Sequence, residues 1–343
     1  MTGPGVAPAG PADVEAALLL LGRLGVSVDD LVNGRPAPSA VPTFAEYIPV
    51  VSAAVGDGSR RAYTSYWNRV LEQWSARRLD EVVPSDIEKL AEYVKAHRVV
   101  RSNARGGRSA AENLITALRC VYRRAVADGY LTEAQNPALR VAKPQRLQST
   151  RRALADTRIA EINQIAATTG DDPVLDSLLL RLHTETACRR GGALALQRSD
   201  LDEEQCLILL HEKGETVRWQ PVSPTLMRHL QQHAADRCPS SAGQLLRYRD
   251  GRPITRRRYD HLWVRVGRHL PWVEKQQIST HWLRHTTLTW VERNFGYAIA
   301  RDYAGHAGSG SEAGSTATYV RASLQEIAAA LAALTGEAHP LAT

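Results

Sequence analysis

The sequence predicts a mostly α, two-domain fold carrying one small β-hairpin, and three observations predict it. Apolar residues recur at intervals of three and four through most of residues 43–128, the period of helices that bury one face. A proline-punctuated basic stretch from Asn136 to Arg152, NPALRVAKPQRLQSTRR, interrupts helical patterning and separates two regions each long enough for a core. Beyond it, Cys206 to Leu210 and Thr216 to Val222 alternate like two strands around the turn Lys213-Gly214-Glu215. The expected boundaries are 1–41 for a disordered or short helical extension, 42–135 for a helical domain, 136–153 for a linker, 154–335 for a second, mixed α/β domain closed by a helix, and 336–343 for a tail.

Taken in order, residues 1–12 are Gly, Pro and Ala with little to bury, so they are expected to be disordered. Asp13 is placed to cap a helix running to Leu24 and ended by Gly25, and Asn33 to Pro42 reads as a linker. Tyr63, Trp67, Val70, Leu71 and Trp74 form an apolar helical face. Ser59 is a fair cap, and Ser85 with Glu88 fits a capping box opening a helix through Val94. Leu114, Ile115, Leu118, Val121, Tyr122 and Ala125 mark a further helix closed near Gly129. At helical period these aromatics read as core rather than as platforms for bases. Between the last two helices, RSNARGGR places Arg101, Arg105 and Arg108 on a flexible segment that suits a phosphate backbone, a solvated loop being the alternative. Lys143 and Arg146 extend the same basic character into the linker.

In the second region Asp156 is placed to cap a helix to about Ala167, and Val174 to Leu182 reads as a buried helix. Arg189 and Arg190 follow it, just before the apolar run Ala193 to Leu196. A guanidinium carries several fixed donors matched to phosphate oxygens and stays protonated, so an arginine at a helix start suits a phosphodiester. His281 and Arg284 are three apart and share a helix face. Lys213 at a hairpin tip, taken alone, reads as a solvated charge.

Composition is consistent with an anionic partner without establishing one. The formal charge is +7 and the pI about 9.4, and nearly all of the 43 basic residues are arginine, which either phosphate recognition or genomic base composition would produce. No apolar run reaches the roughly 18 residues needed to span a bilayer, and the amino terminus has no basic segment before an apolar core, so a cytoplasmic, nucleoid-associated protein is expected. Cys120, Cys188, Cys206 and Cys238 are too scattered for a zinc site and are expected to be reduced. There is neither a phosphate-binding G-x-x-x-x-G-K-[ST] loop nor a carboxylate cluster spaced for two metals, so neither metal nor cofactor is expected.

The ordered set TACRRGGALAL with Arg189, EKGETVRWQPVS with Lys213, THWLRHT with His281 and Arg284, AGH with His306 and TATYV with Tyr319 resembles the tyrosine recombinase family, the phage-type integrases. The resemblance covers roughly residues 43–334 and implies the tyrosine recombinase fold, with a helical, SAM-like core-binding domain followed by the catalytic domain. It implies a site-specific DNA recombinase that integrates or excises a phage or mobile element through a 3′-phosphotyrosyl intermediate, without ATP or metal. Tyr319 would be the nucleophile, Arg189 and Arg284 phosphate clamps, Lys213 the general acid, His281 the acid/base partner, His306 a further phosphate donor and His285 a supporting residue. Double-stranded DNA attachment sites, a homotetramer in the synaptic complex formed from free monomers, and DNA-bending or directionality accessory proteins are the implied partners. The apolar helix from Leu324 to Leu334 would dock on a neighbouring protomer, packing on its own domain being the alternative. A type IB topoisomerase-like or resolvase enzyme and an inactive DNA-binding regulator are the competing readings. Two departures from the family pattern bear on the site. Gly192 stands where many members carry a glutamate three residues after the first arginine, so whatever orients Arg189 must come from elsewhere. The stretch from His306 to Tyr319 is also longer than usual and rich in Gly and Ser.

Overall fold

Apolar side chains gather into separate cores in the computed structural model, which describes residues 10–28, 41–97, 107–145, 152–212, 216–238, 243–305 and 322–342. The chain divides between Gln148 and Ser149 into two units. The first contains α1 (Pro11–Leu24), α2 (Phe44–Ala54), α3 (Asp57–Trp74), α4 (Pro84–Ala96), α5 (Arg108–Ala127) and the single turn α6 (Pro137–Arg140). Its core joins Phe44, Trp67, Ile87, Leu114, Leu118 and Tyr122, each worth about 1.5–3 kcal/mol on full burial. Two buried polar tips in this core are satisfied by the main chain: Trp67 Nε1–H donates to the Ala117 carbonyl at 3.2 Å and the Tyr122 hydroxyl to that of Leu79 at 3.1 Å.

Several helix starts differ from the sequence reading, because local stereochemistry outweighs the best-looking cap. Asp13 is not the cap of α1 but reaches back from its first turn to the Gly10 N–H at 3.0 Å. Helix α3 starts from Gly56, ahead of Ser59. In α4, Pro84 is already in the first turn, where its fixed φ and missing N–H cost nothing, and Asp86 accepts from the Val83 N–H, so the Ser85–Glu88 box is not formed. Arg108 is the exposed first residue of α5 rather than part of a loop. The expected linker also starts too early: Ala138 and Val141 are buried in the first core, and Arg119 donates to both of their carbonyls at 3.0 and 2.8 Å.

The second unit contains α7 (Asp156–Thr168), α8 (Pro173–Thr186), α9 (Arg190–Ala195), the strands β1 (Leu201–Asp202), β2 (Leu207–His211) and β3 (Val217–Pro221), then α10 (Pro224–Arg237), α11 (Arg256–His269), α12 (Pro271–Gln276), α13 (Thr280–Phe295), α14 (Tyr297–Tyr303) and α15 (Leu324–Thr335). The strands form an antiparallel sheet in the order β1-β2-β3, with Leu209 opposite Trp219 and His211 opposite Val217. Helix α8 is apolar on most of its surface, yet it also buries Asp176 completely. That carboxylate is matched by Arg258 Nε at 2.8 Å and by Arg265, while Asp172, capping α8, accepts from Arg237.

Within the single chain, helix α15 packs on its own unit. Ile327, Ala330 and Leu331 join Ala187, Val291, Ala300 and Tyr303 in one buried cluster. The expected tail is also ordered through Ala342: Glu337 accepts from Arg181 at 2.6 Å and from the Thr225 N–H at 3.1 Å, and buried His339 lies 3.2 Å from the Cys206 carbonyl. Among the described residues no helix is long and apolar enough to cross a membrane.

Asp176→Ala would remove the buried carboxylate between two guanidiniums, leaving Arg258, only 4% exposed, with Asp171 and the Asp172 carbonyl and Arg265 with the Thr169 hydroxyl. A loss of about 3–5 kcal/mol in the unfolding free energy of the second unit is expected. Urea denaturation monitored by far-UV circular dichroism checks it, and an unchanged midpoint would contradict the role given to this carboxylate.

Candidate active site

Helix α8 ends on Ala187, whose φ of 48° is left-handed and costs a non-glycine residue on the order of 1 kcal/mol. The turn brings Cys188 and Arg189 to the start of α9, where Arg189 is the N-cap residue. Across from it, α13 presents His281 and Arg284 on one face, as their spacing predicts. Arg189, His281 and Arg284 line a single cleft of about 640 Å³, together with Arg190, Tyr259 and Trp263.

Arg284 is 4% exposed and is tied to two loops at once, donating to the carbonyls of Ala187 and, at 2.7 Å, of Ala304. The first carbonyl precedes the Arg189 motif and the second precedes Gly305-His306, so one side chain registers three separated motifs. Burial, reinforced by the nearby positive charge of Arg189, pulls the Arg284 pKa down to about 10, while Glu212 acts in the opposite direction. It remains a cation at neutral pH. His281 is exposed at the cleft, whereas His285 is half-buried with Nδ1 at 3.3 Å from the Thr289 hydroxyl and does not line it.

Two charged residues at this site were not among those singled out from the sequence. The Glu212 side chain, fully buried at the end of β2, accepts from the Arg189 backbone N–H at 2.8 Å and from Arg189 Nη1–H at 2.9 Å. Its Oε2 also lies 3.6 Å from Nε of Arg218, a largely buried residue of β3 whose pKa is lowered by burial. A carboxylate immediately before Lys213 was the available signal. Arg190, the neighbouring candidate, is placed differently, against Asp260 at 3.4 Å and over the ring of Tyr259. Gly305 has a φ of +63°, and a Cβ there would collide with Arg218.

Lys213, His306 and Tyr319 lie outside the described residues, as do Arg101, Arg105 and Arg146. Arg108 and Lys143 are exposed residues of the first unit. Beneath the cleft, His183 is buried and bonded on both nitrogens. The Cys188 carbonyl, 3.1 Å from Nδ1, can only accept, so Nδ1 carries the proton and Nε2 accepts from the Tyr259 hydroxyl at 3.0 Å.

Residues 153–326 match the model of the phage integrase family. Among solved structures, the chain is similar to a lambda integrase dimer bound to a COC′ core site, with TM-score 0.59 and 13% identity over 91% of this chain and 86% of that one. It is also similar to the Tn1549 transposon integrase in complex with a circular intermediate DNA, with TM-score 0.60 and 16% identity over 78% and 92% of the two chains. The XerH site-specific recombinase bound to palindromic difH matches with TM-score 0.58 and 14% identity over 77% and 78%. At these identities the likeness is one of fold. A comparison with curated proteins finds no significant match.

Burial lowers the His183 pKa to about 4, so the fold holds it neutral. An unfolded histidine titrates near 6.5. Between those values the unfolded chain binds the extra proton, and stability therefore falls as pH drops from about 6.5 towards 4, by on the order of 3 kcal/mol from this group. His233, lowered to about 4 mainly by burial, acts in the same direction. Urea midpoints measured at pH 7, 6 and 5 should decline, and the decline should be shallower in His183→Leu. Equal slopes would contradict the assignment.

Proposed function

The chain belongs to the phage integrase family, and we propose that it cuts and rejoins DNA through a covalent bond between Tyr319 and a 3′-phosphate. It is a site-specific tyrosine recombinase, a DNA strand transferase. The observation that carries the residue-level reading is the convergence of Arg189, His281 and Arg284 on one cleft from motifs nearly a hundred residues apart.

In this reading Arg189 and Arg284 hold the nonbridging oxygens of the scissile phosphate. Attack by the Tyr319 oxygen forms the P–O bond to tyrosine as the bond to the deoxyribose 5′-oxygen breaks. Charge accumulates on the nonbridging oxygens, where each preorganised donor is worth about 3 kcal/mol. A free phenol has a pKa near 10, so His281 takes its proton, while Lys213 supplies one to the leaving 5′-oxygen. His306 adds a donor to the phosphate. The phosphotyrosyl bond conserves the energy of the phosphodiester, so religation to a partner strand needs neither ATP nor metal.

The partner is double-stranded DNA and the synaptic state a homotetramer, a reading supported by a lambda integrase dimer bound to a COC′ core site, XerH bound to a palindromic difH substrate and a lambda integrase tetramer bound to a Holliday junction. Integration or excision of a phage or mobile element in the cytoplasm, with accessory DNA-bending or directionality proteins, follows from the same reading. Arg101, Arg105, Arg108, Lys143 and Arg146 are assigned to the phosphate backbone, where each contact makes binding more salt-sensitive.

The test uses end-labelled, nicked duplexes tiled from DNA flanking the gene, incubated in EDTA with wild-type protein and with Tyr319→Phe. A denaturing gel should show a covalent adduct with the wild type and none with the variant. Persistence of the adduct would point to Tyr297, which is 70% exposed, and not to Tyr303, which is buried and donates to the Glu185 carbonyl.

A further inference from the structure

We infer that Glu212 is the positioning residue of Arg189, and that it occupies from the sheet side the place a side chain at position 192 would fill from the helix side. The inference rests on Arg189 acting as a phosphate clamp.

Glu212 makes two bonds to the same residue. One oxygen accepts the Arg189 backbone N–H at 2.8 Å and the other accepts Nη1–H at 2.9 Å, so both the start of α9 and the direction of the guanidinium are set by one carboxylate. Its side chain has no exposed surface, while that of Arg189 keeps 37%. Glu212 therefore acts through Arg189 and does not meet DNA itself. The remaining guanidinium donors stay available to the cleft. Hydrogen bonds to a charged acceptor are about twice as strong as neutral ones, and a buried one is little screened.

The space around position 192 explains why the carboxylate comes from β2. A Cβ built on Gly192 would lie 3.2 Å from Glu212 Cγ and 3.6 Å from its Oε1. Gly192 is buried, so no solvent-filled gap replaces a side chain there. The glycine is the room that Glu212 needs. Glu212 is in turn fixed at the hairpin base, where its N–H donates to the Thr216 carbonyl at 2.8 Å. A carboxylate brought by position 192 would stand three residues from Arg189, on the adjacent helical turn.

The experiment compares wild type, Glu212→Gln, Glu212→Ala, Gly192→Glu and the double variant Gly192→Glu/Glu212→Ala, by single-turnover adduct formation on the nicked duplexes and by duplex binding. Glu212→Ala should slow adduct formation about 10²-fold, the scale of a misplaced reacting group, with duplex affinity changed less than threefold. Glu212→Gln, which keeps the shape but sets an amide N–H₂ against one of the two donors, should fall between. Gly192→Glu should impair the wild type, through crowding and a second buried carboxylate, yet restore the double variant to within about tenfold of wild type. A wild-type rate in Glu212→Ala, or a double variant no faster than Glu212→Ala, would overturn the inference.

A second measurement separates this inference from the functional reading. In a double-mutant cycle on the free protein, Arg189→Ala and Glu212→Ala should be non-additive in urea unfolding. Additivity would overturn the contact itself. Wild-type protein that forms no adduct on any duplex, with the cycle still non-additive, would instead remove the recombinase chemistry.

Discussion

Gathering several cations in a largely buried pocket is the constraint on which the second unit depends. Arg189, Arg218 and Arg284 lie close enough that two of them lower the pKa of the third, and burial alone works against all that charge. A phosphate would neutralise it, but the free protein must hold the arrangement without one. It does so with Glu212 between Arg189 and Arg218, and with two main-chain carbonyls on Arg284. Each of these solutions leaves a mark in the backbone. Ala187 takes a left-handed conformation before the Arg189 motif, and position 305 is a glycine because both its φ and the approach of Arg218 exclude a side chain.

The platform beneath that pocket is built by the opposite strategy, with acids inside and arginines around them. Asp172 and Asp176 on α8 are held by Arg237, Arg258 and Arg265 from α10 and α11. Breaking such pairs is costly because the partner left behind is a buried charge, which makes the network a strong determinant of how these helices register. On the same α8, His183 carries the linkage to Cys188 and Tyr259. The C-terminal segment completes the platform: α15 covers Ala187 and Tyr303, and Glu337 and His339 tie the residues after it to α8, α10 and the strand end at Cys206.

Much of this was legible from spacing. The period of three and four placed the main helices of the first unit, and apolar runs placed α8 and α15 in the second, while α10, α11, α12 and α14 were not singled out. Alternation placed the hairpin within a residue at each end. Arg189 and the His281–Arg284 pair were legible because position in a helix fixes which side chains converge. Their shared cleft was not deducible without the motif order, since it joins residues far apart in sequence. Glu212 was missed because its partner is twenty-three residues away, and a carboxylate beside a lysine in a hairpin ordinarily faces water. The helix starts were misjudged by a few residues where Pro84 or Gly56 overrode a better side-chain cap. The direction in which α15 docks and the order of residues 336–342 depend on tertiary contacts, which periodicity does not encode.

Gly192 carries a consequence for how family membership is judged at the level of a motif. A pattern written along the chain scores this position as a missing acid. In space a carboxylate does stand beside Arg189: it is that of Glu212, whose Cγ lies 3.2 Å from where a Cβ at position 192 would sit. Intactness of such a centre is thus a property of occupancy rather than of address. A linear pattern that requires the acid at position 192 overlooks the one that the hairpin supplies.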